Sequence, residues 1–177
     1  MNWRALTAAM LCLGTSALVG GCGGSENGAG QKPGKAAGQE PTILDKPEYR
    51  VRLNQANQAH NRRLAKLSRG LDERSRRDVA KAYRGFGNSL DQLSNDLDEF
   101  RPRDAAATDA HQKLIEAFDA EVAVIGATDK AVETDGVRAI TRGPLKKKGE
   151  VLARNLKEAT RALVKSGWAP KGLVFDG

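Results

Sequence analysis

Between residues 48 and 165 apolar side chains recur at alternating spacings of three and four, the period of helices that bury one face and leave the other in water. The first such stripe is Tyr49, Leu53, Ala56, His60, Leu64 and Leu67, stopping at Gly70. Its start, Asp45-Lys46-Pro47-Glu48, has the spacing of a capping box, with Leu44 and Tyr49 placed as a hydrophobic staple. A second stripe opens near Asp72 or Ser75 and runs Val79, Tyr83, Phe86, Leu90, Leu93, Leu97, Phe100, ending at Arg101-Pro102 because a residue before proline is pushed out of helical space. The third is His111, Leu114, Ile115, Phe118, Val122, Ile125 and Val132, closing near Asp135-Gly136. The fourth, Val137, Ile140, Leu145, Val151, Leu152, Leu156, Ala159 and Leu163, is interrupted by Gly143-Pro144, where proline removes a backbone donor.

Short connections between long amphipathic segments force neighbours to run in opposite directions, so the expected fold is all-α: an antiparallel up-down-up-down four-helix bundle whose fourth helix is kinked or split near Gly143-Pro144. A long three-helix arrangement with residues 137–142 as a separate short helix is the alternative. No strand signal is visible.

Ahead of the bundle the pattern changes. Arg4 precedes an apolar run from Ala5 to Val19, too short to span a bilayer comfortably, and the run ends in Val19-Gly20-Gly21-Cys22. These residues resemble the export signal and lipobox of bacterial lipoproteins. The resemblance implies cleavage before Cys22, acylation of its sulfur, and a lipid-anchored protein outside the cytoplasm, at the cell membrane or outer membrane. Beyond those positions, the sequence of signal, spacer and Ala-, Arg- and Leu-rich helices looks like small helical bacterial lipoproteins, a likeness that implies no activity. The chain then divides into a signal peptide (1–21), a lipidated cysteine with a Gly-, Ser- and Lys-rich tether (22–47), a helical bundle (48–168) and a tail (169–177). Cys12 falls in the discarded segment, so the folded part contains no thiol and no disulfide.

Catalytic and cofactor signatures are missing from the pattern. No glutamate among Glu116, Glu121, Glu133 and Glu150 is followed by histidine at the offset that di-iron bundles require, and no Cys-x-x-Cys-His haem attachment occurs. There is no nucleophile elbow, phosphate-cradling glycine loop or zinc spacing. His60 and His111 both lie on apolar stripes; in the expected bundle they are offset by about 12 Å and read as buried, hydrogen-bonded side chains rather than metal ligands. The expectation is a non-enzyme without a cofactor.

Charge is the remaining signal. The net charge is +7, and losing Arg4 with the signal leaves +6. Arg62, Arg63, Lys66, Arg69, Arg76, Arg77, Arg142, Lys146, Lys147 and Lys148 fall toward the end of the bundle that holds the first and third turns. If the first and fourth helices are neighbours, their cations share one wall. Such a face suits an acidic envelope polymer or protein. Nucleic acid is disfavoured by compartment and by the lack of aromatics among the cations. The reading is an interaction or structural module of the cell envelope; the alternative is a small-ligand bundle with a cavity at Tyr83, Phe86 and Phe118. Trp168 is expected to cap the open end of the bundle.

Overall fold

The computed structural model of the chain describes residues 40–69, 75–136, 138–139, 143–173 and 175. In chain order these form β1 (Thr42–Leu44), α1 (Lys46–Ser68), α2 (Arg76–Asp98), β2 (Phe100–Pro102), α3 (Ala105–Asp135) and α4 (Gly143–Lys165). The protein is a mostly helical bundle of four helices among the described residues.

The helix starts are set by local chemistry. Ser75 accepts a hydrogen bond from the Asp78 amide at 3.2 Å, and Asp104 accepts one from the Ala107 amide at 2.9 Å, each satisfying a donor that the first turn leaves free. Asp45 behaves differently from the expected capping box. It occupies the N-cap of α1 without capping, because its carboxylate pairs with Arg103 at 3.2 Å instead. At the far end of α3, Gly136 adopts a positive φ of 60°, which its lack of a Cβ permits. α4 ends in a Schellman turn: Gly167, at φ 74°, donates to the Val164 carbonyl, and Trp168 donates to Leu163 at 2.8 Å.

Residues 42–47, expected to be tether, are part of the fold. Thr42, Ile43 and Leu44 pair in parallel with Phe100, Arg101 and Pro102, and α1 begins at Lys46. The reason lies in Pro102. It drives Arg101 into extended backbone, which ends α2 at Asp98 and leaves a short strand with open carbonyls and amides for β1 to complete.

The core follows the stripes. Tyr49, Leu53, Leu64, Val79, Tyr83, Phe86, Leu90, Leu93, Leu97, Phe100, Leu114, Phe118, Ile125, Val132, Leu156 and Leu163 are all buried. α1 packs on α2, α2 on α3, and α3 on α4. Polar links give the register: His60 meets Ser89, Ser94 meets Asp119 at 2.7 Å, and Tyr83 donates to Thr128 at 2.7 Å while the Thr128 hydroxyl donates onward to Val124. The expected wall shared by the first and fourth helices does not form. Among the described residues α1 and α4 share no extended contact; the turn after α4 meets the start of α1, where Lys46 donates to the Ser166 carbonyl and Tyr49 and Lys46 face the Trp168 ring. The tail lies over the neighbouring flank of α4 instead, with Phe175 edge-on to Phe118 at 5.4 Å.

Two glycines test how tightly these helices sit. A Cβ on Gly87 of α2 would stand 2.8 Å from a methyl group of Ile125, whereas a Cβ on Gly126 of α3 would meet nothing within 4 Å. Gly87→Ala is expected to lower unfolding stability in urea by about 1–3 kcal/mol through overpacking. Gly126→Ala is expected to raise it by about 0.5–1 kcal/mol through helix propensity.

Candidate functional site

Polar and charged groups gather in several places, one of them buried at the end where α1 starts. His111 donates from Nε2 to the Leu97 carbonyl at 3.1 Å, so Nδ1 is the acceptor, and Tyr49 donates its hydroxyl proton to it at 2.9 Å. Around this chain Tyr49 lies edge-on to Phe100, His111 and Trp168, at centroid distances of 5.5–5.6 Å. Burial pulls the His111 pKa below the usual histidine value, against the opposing pull of the Leu97 carbonyl, and pushes the Tyr49 pKa up. The group is neutral and saturated by its partners. It holds three helices together and leaves no open valence for a ligand.

His60 is also buried, with Nδ1 at 2.9 Å from the Ser89 hydroxyl. Ser89 and Leu97, the α2 partners of the two histidines, are eight residues apart, or about 12 Å along the helix. The histidines therefore occupy separate levels. Among the described residues no group of three or more His, Cys, Asp and Glu side chains could hold a metal ion.

The cavity expected at Tyr83, Phe86 and Phe118 is closed. All three side chains are buried, and the space beside Tyr83 and Phe86 measures about 10 Å³, too small for any ligand and barely one water. Glu121 shares that space with Val124, Ile125, Gly149 and Leu152 where α3 meets α4. The residue is only half-buried, yet its carboxyl group has no counter-ion among the described residues, and burial pushes it up to about 7.

The predicted cationic residues separate into three sets. Lys66, Arg69, Arg76 and Arg77 are exposed at the end of α1 and the start of α2, and none makes an ion pair among the described residues. Arg62 is exposed two residues below Leu64; Arg63 reaches the Ser89 hydroxyl at 3.3 Å and the Asp96 carboxylate at 3.5 Å, so it is occupied. Lys146, Lys147 and Lys148 are exposed, but Gly149 lies level with Glu121 and Ile125. They thus sit about 15 Å short of the end of α3, beside its middle, because α4 starts only at Gly143. Arg142 and Cys22 lie outside the described residues.

Two surface depressions were not legible in the sequence. One, about 460 Å³, runs between α3 and α4 over Ala110, Ala117, Ala159 and Ala162 with Lys113 and Glu158 on its sides. The other, about 720 Å³, lies between α4 and the tail over Leu156, Val164, Leu173 and Phe175, flanked by Lys157, Arg161 and Lys165. The only sequence signal for the second was the recurrence of those cations every four residues beside apolar positions. What encloses it is the fold-back of Phe175 onto Phe118, which no local pattern announces. No helix among the described residues is long and apolar enough to cross a membrane.

The titrating groups give opposite pH dependences. Glu121 has its folded-state value raised, so its contribution to stability is complete below about 4.5 and is lost as pH rises through about 7. His111 is depressed, so the unfolded chain takes up its proton first and stability falls as pH drops below the ordinary histidine value of about 6.5. Glu121→Gln is expected to match the parent in urea unfolding at pH 4.5 and to exceed it by about 2 kcal/mol at pH 8. In that variant the stability loss that remains below about pH 6.5 is that of His111. No protein-family profile, no curated protein and no solved structure matches this chain.

Proposed function

We propose that this is an exported bacterial lipoprotein, held to a membrane by acylated Cys22, whose helical domain is a non-enzymatic interaction or structural module of the cell envelope. Its helices follow one another up, down, up and down, a reading supported for the first three by the pairs Tyr49 with Phe100, His60 with Ser89, Ser94 with Asp119 and Tyr83 with Thr128, and for the fourth by Gly149 and Leu152 lying beside Ile125 while Ala159 lies beside Ala110 and Ala117. The fourth segment is split ahead of Gly143-Pro144, consistent with α4 starting at Gly143, where a proline in the first turn sacrifices no hydrogen bond.

The observation that carries the functional reading is the set of exposed cations Lys66, Arg69, Arg76 and Arg77, beside a seam at Tyr83 and Phe86 that leaves only about 10 Å³. Cations collected at one end and making no ion pair among the described residues attract a partner of opposite charge. That end is remote from Glu40, where the described chain begins, so in an anchored molecule these residues face away from the lipid. An acidic polymer or protein of the envelope fits that position, and nucleic acid does not.

Two measurements test the reading. The intact mass of the protein extracted from membranes is expected to correspond to a chain starting at Cys22 with acyl groups attached, and Cys22→Ser is expected to accumulate the full-length precursor; a native chain with residues 1–21 intact and Cys22 unmodified refutes the anchor. Binding to immobilised polyglutamate is expected to fall at least tenfold between 50 and 500 mM salt, as roughly 14 Å of screening length contracts to about 4 Å. It is expected to vanish in the variant Lys66→Glu/Arg69→Glu/Arg76→Glu/Arg77→Glu. Salt-independent binding refutes the electrostatic reading.

A further inference from the structure

We propose that the groove between α4 and the tail is a binding site for one acidic phospholipid. Its acyl chain lies over Val164, Leu173 and Phe175, and its headgroup is held by Lys157, Arg161 and Lys165.

The size and lining of the groove fit an amphiphile. At about 720 Å³ it is within the 300–1,000 Å³ range of small-molecule sites, and its floor is apolar. Its wall at Phe175 is fixed by the edge-on contact with Phe118. The one hydroxyl along it, on Thr160, is already donated to the Leu156 carbonyl at 2.8 Å. An unsubstituted alkyl chain therefore gains burial there and strands no polar group.

The charges select an anion. Lys157, Arg161 and Lys165 are spaced by four residues, so they line one flank of α4 over about 12 Å. Among the described residues no carboxylate lines the groove and none of the three cations makes an ion pair. A water-soluble polyanion has no use for the apolar floor. A free fatty acid presents one carboxylate to three cations spread over two turns, whereas a phospholipid of net negative charge presents a phosphate and further oxygens together with its chain.

Position points to a membrane as the source, and this step rests on the anchored reading above. The groove occupies the half of α4 that ends at Lys165, and Lys46, next to the first strand, donates to the Ser166 carbonyl there. The described chain enters the bundle at that same end. An anchored molecule holds this groove nearest the bilayer, while Lys66, Arg69, Arg76 and Arg77 lie at the opposite end. A basic lipid contact there adds a headgroup-selective attachment to the one that the acylated cysteine supplies.

Photo-cross-linking of the full chain in vesicles tests the site. Phosphatidylglycerol carrying a diazirine in its acyl chain is expected to label residues 153–165 and 173–175 at least five times more than the matching phosphatidylcholine probe, as mapped by peptide mass spectrometry. Lys157→Gln/Arg161→Gln/Lys165→Gln, at exposed positions and with unchanged circular dichroism, is expected to abolish that preference; Leu173→Asp is expected to reduce labelling by both probes. Equal labelling by the two probes, labelling confined to residues outside these segments, or a preference that survives the triple variant overturns the proposal. Groove labelling in a protein whose Cys22 proves unmodified supports this site and sinks the anchor alone. Acylated Cys22 without groove labelling sinks this site alone.

Discussion

The hydroxyl of Tyr49, the imidazole of His111 and the Leu97 carbonyl form one chain of hydrogen bonds on which the end of the bundle depends. Each member comes from a different helix. The Leu97 carbonyl belongs to the last turn of α2, where acceptors have lost their helical partners, and the imidazole N–H of α3 supplies a donor. Since that nitrogen donates, the other must accept, and only a donor such as the Tyr49 hydroxyl from α1 satisfies it. The surrounding rings of Phe100 and Trp168 exclude water and bring in the strand after α2 and the turn after α4. One neutral, fully bonded cluster thereby ties all four helices at the end where the described chain begins.

That saturation shapes what the protein can do. His111 is a poor general base because both nitrogens are engaged and its protonated form is disfavoured by burial. The seam at Tyr83 and Phe86 is closed to ligands, and Glu121 places a carboxyl group there in apolar surroundings with no counter-ion among the described residues. Such a group weakens the contact between α3 and α4 whenever it is charged. The surface carries cations at one end and a charged apolar groove at the other, two chemically different faces.

The tail changes the topology of those faces. Trp168 packs on Tyr49 of α1 and Phe175 on Phe118 of α3, and the first and fourth helices share no extended contact among the described residues. A continuous basic wall is replaced by two separated sets of cations. The same fold-back creates the groove over Val164 and Leu173, since a helix flank alone encloses no volume.

Periodicity determined a great deal: the four helical segments, their buried faces, the caps at Ser75 and Gly136, and the burial of both histidines. These follow from local rules, because a helix exposes its apolar stripe wherever it occurs and caps act within one turn. The pairing of residues 42–44 with 100–102 was not legible, since a three-residue strand carries no period and exists only when two distant segments supply each other's hydrogen bonds. Nor was the diversion of Asp45 from its cap to Arg103, or the halt of Lys146–Lys148 beside the middle of α3, which depend on where α4 begins and not on its composition. The cationic residues could be named from the sequence, but which of them share a surface was decided by tertiary packing, because that requires knowing which helix stands next to which. The physical reason is one of range: side-chain type and spacing act over about 5 Å along a helix, whereas a shared face or an enclosed groove is made by segments far apart in the chain meeting in space.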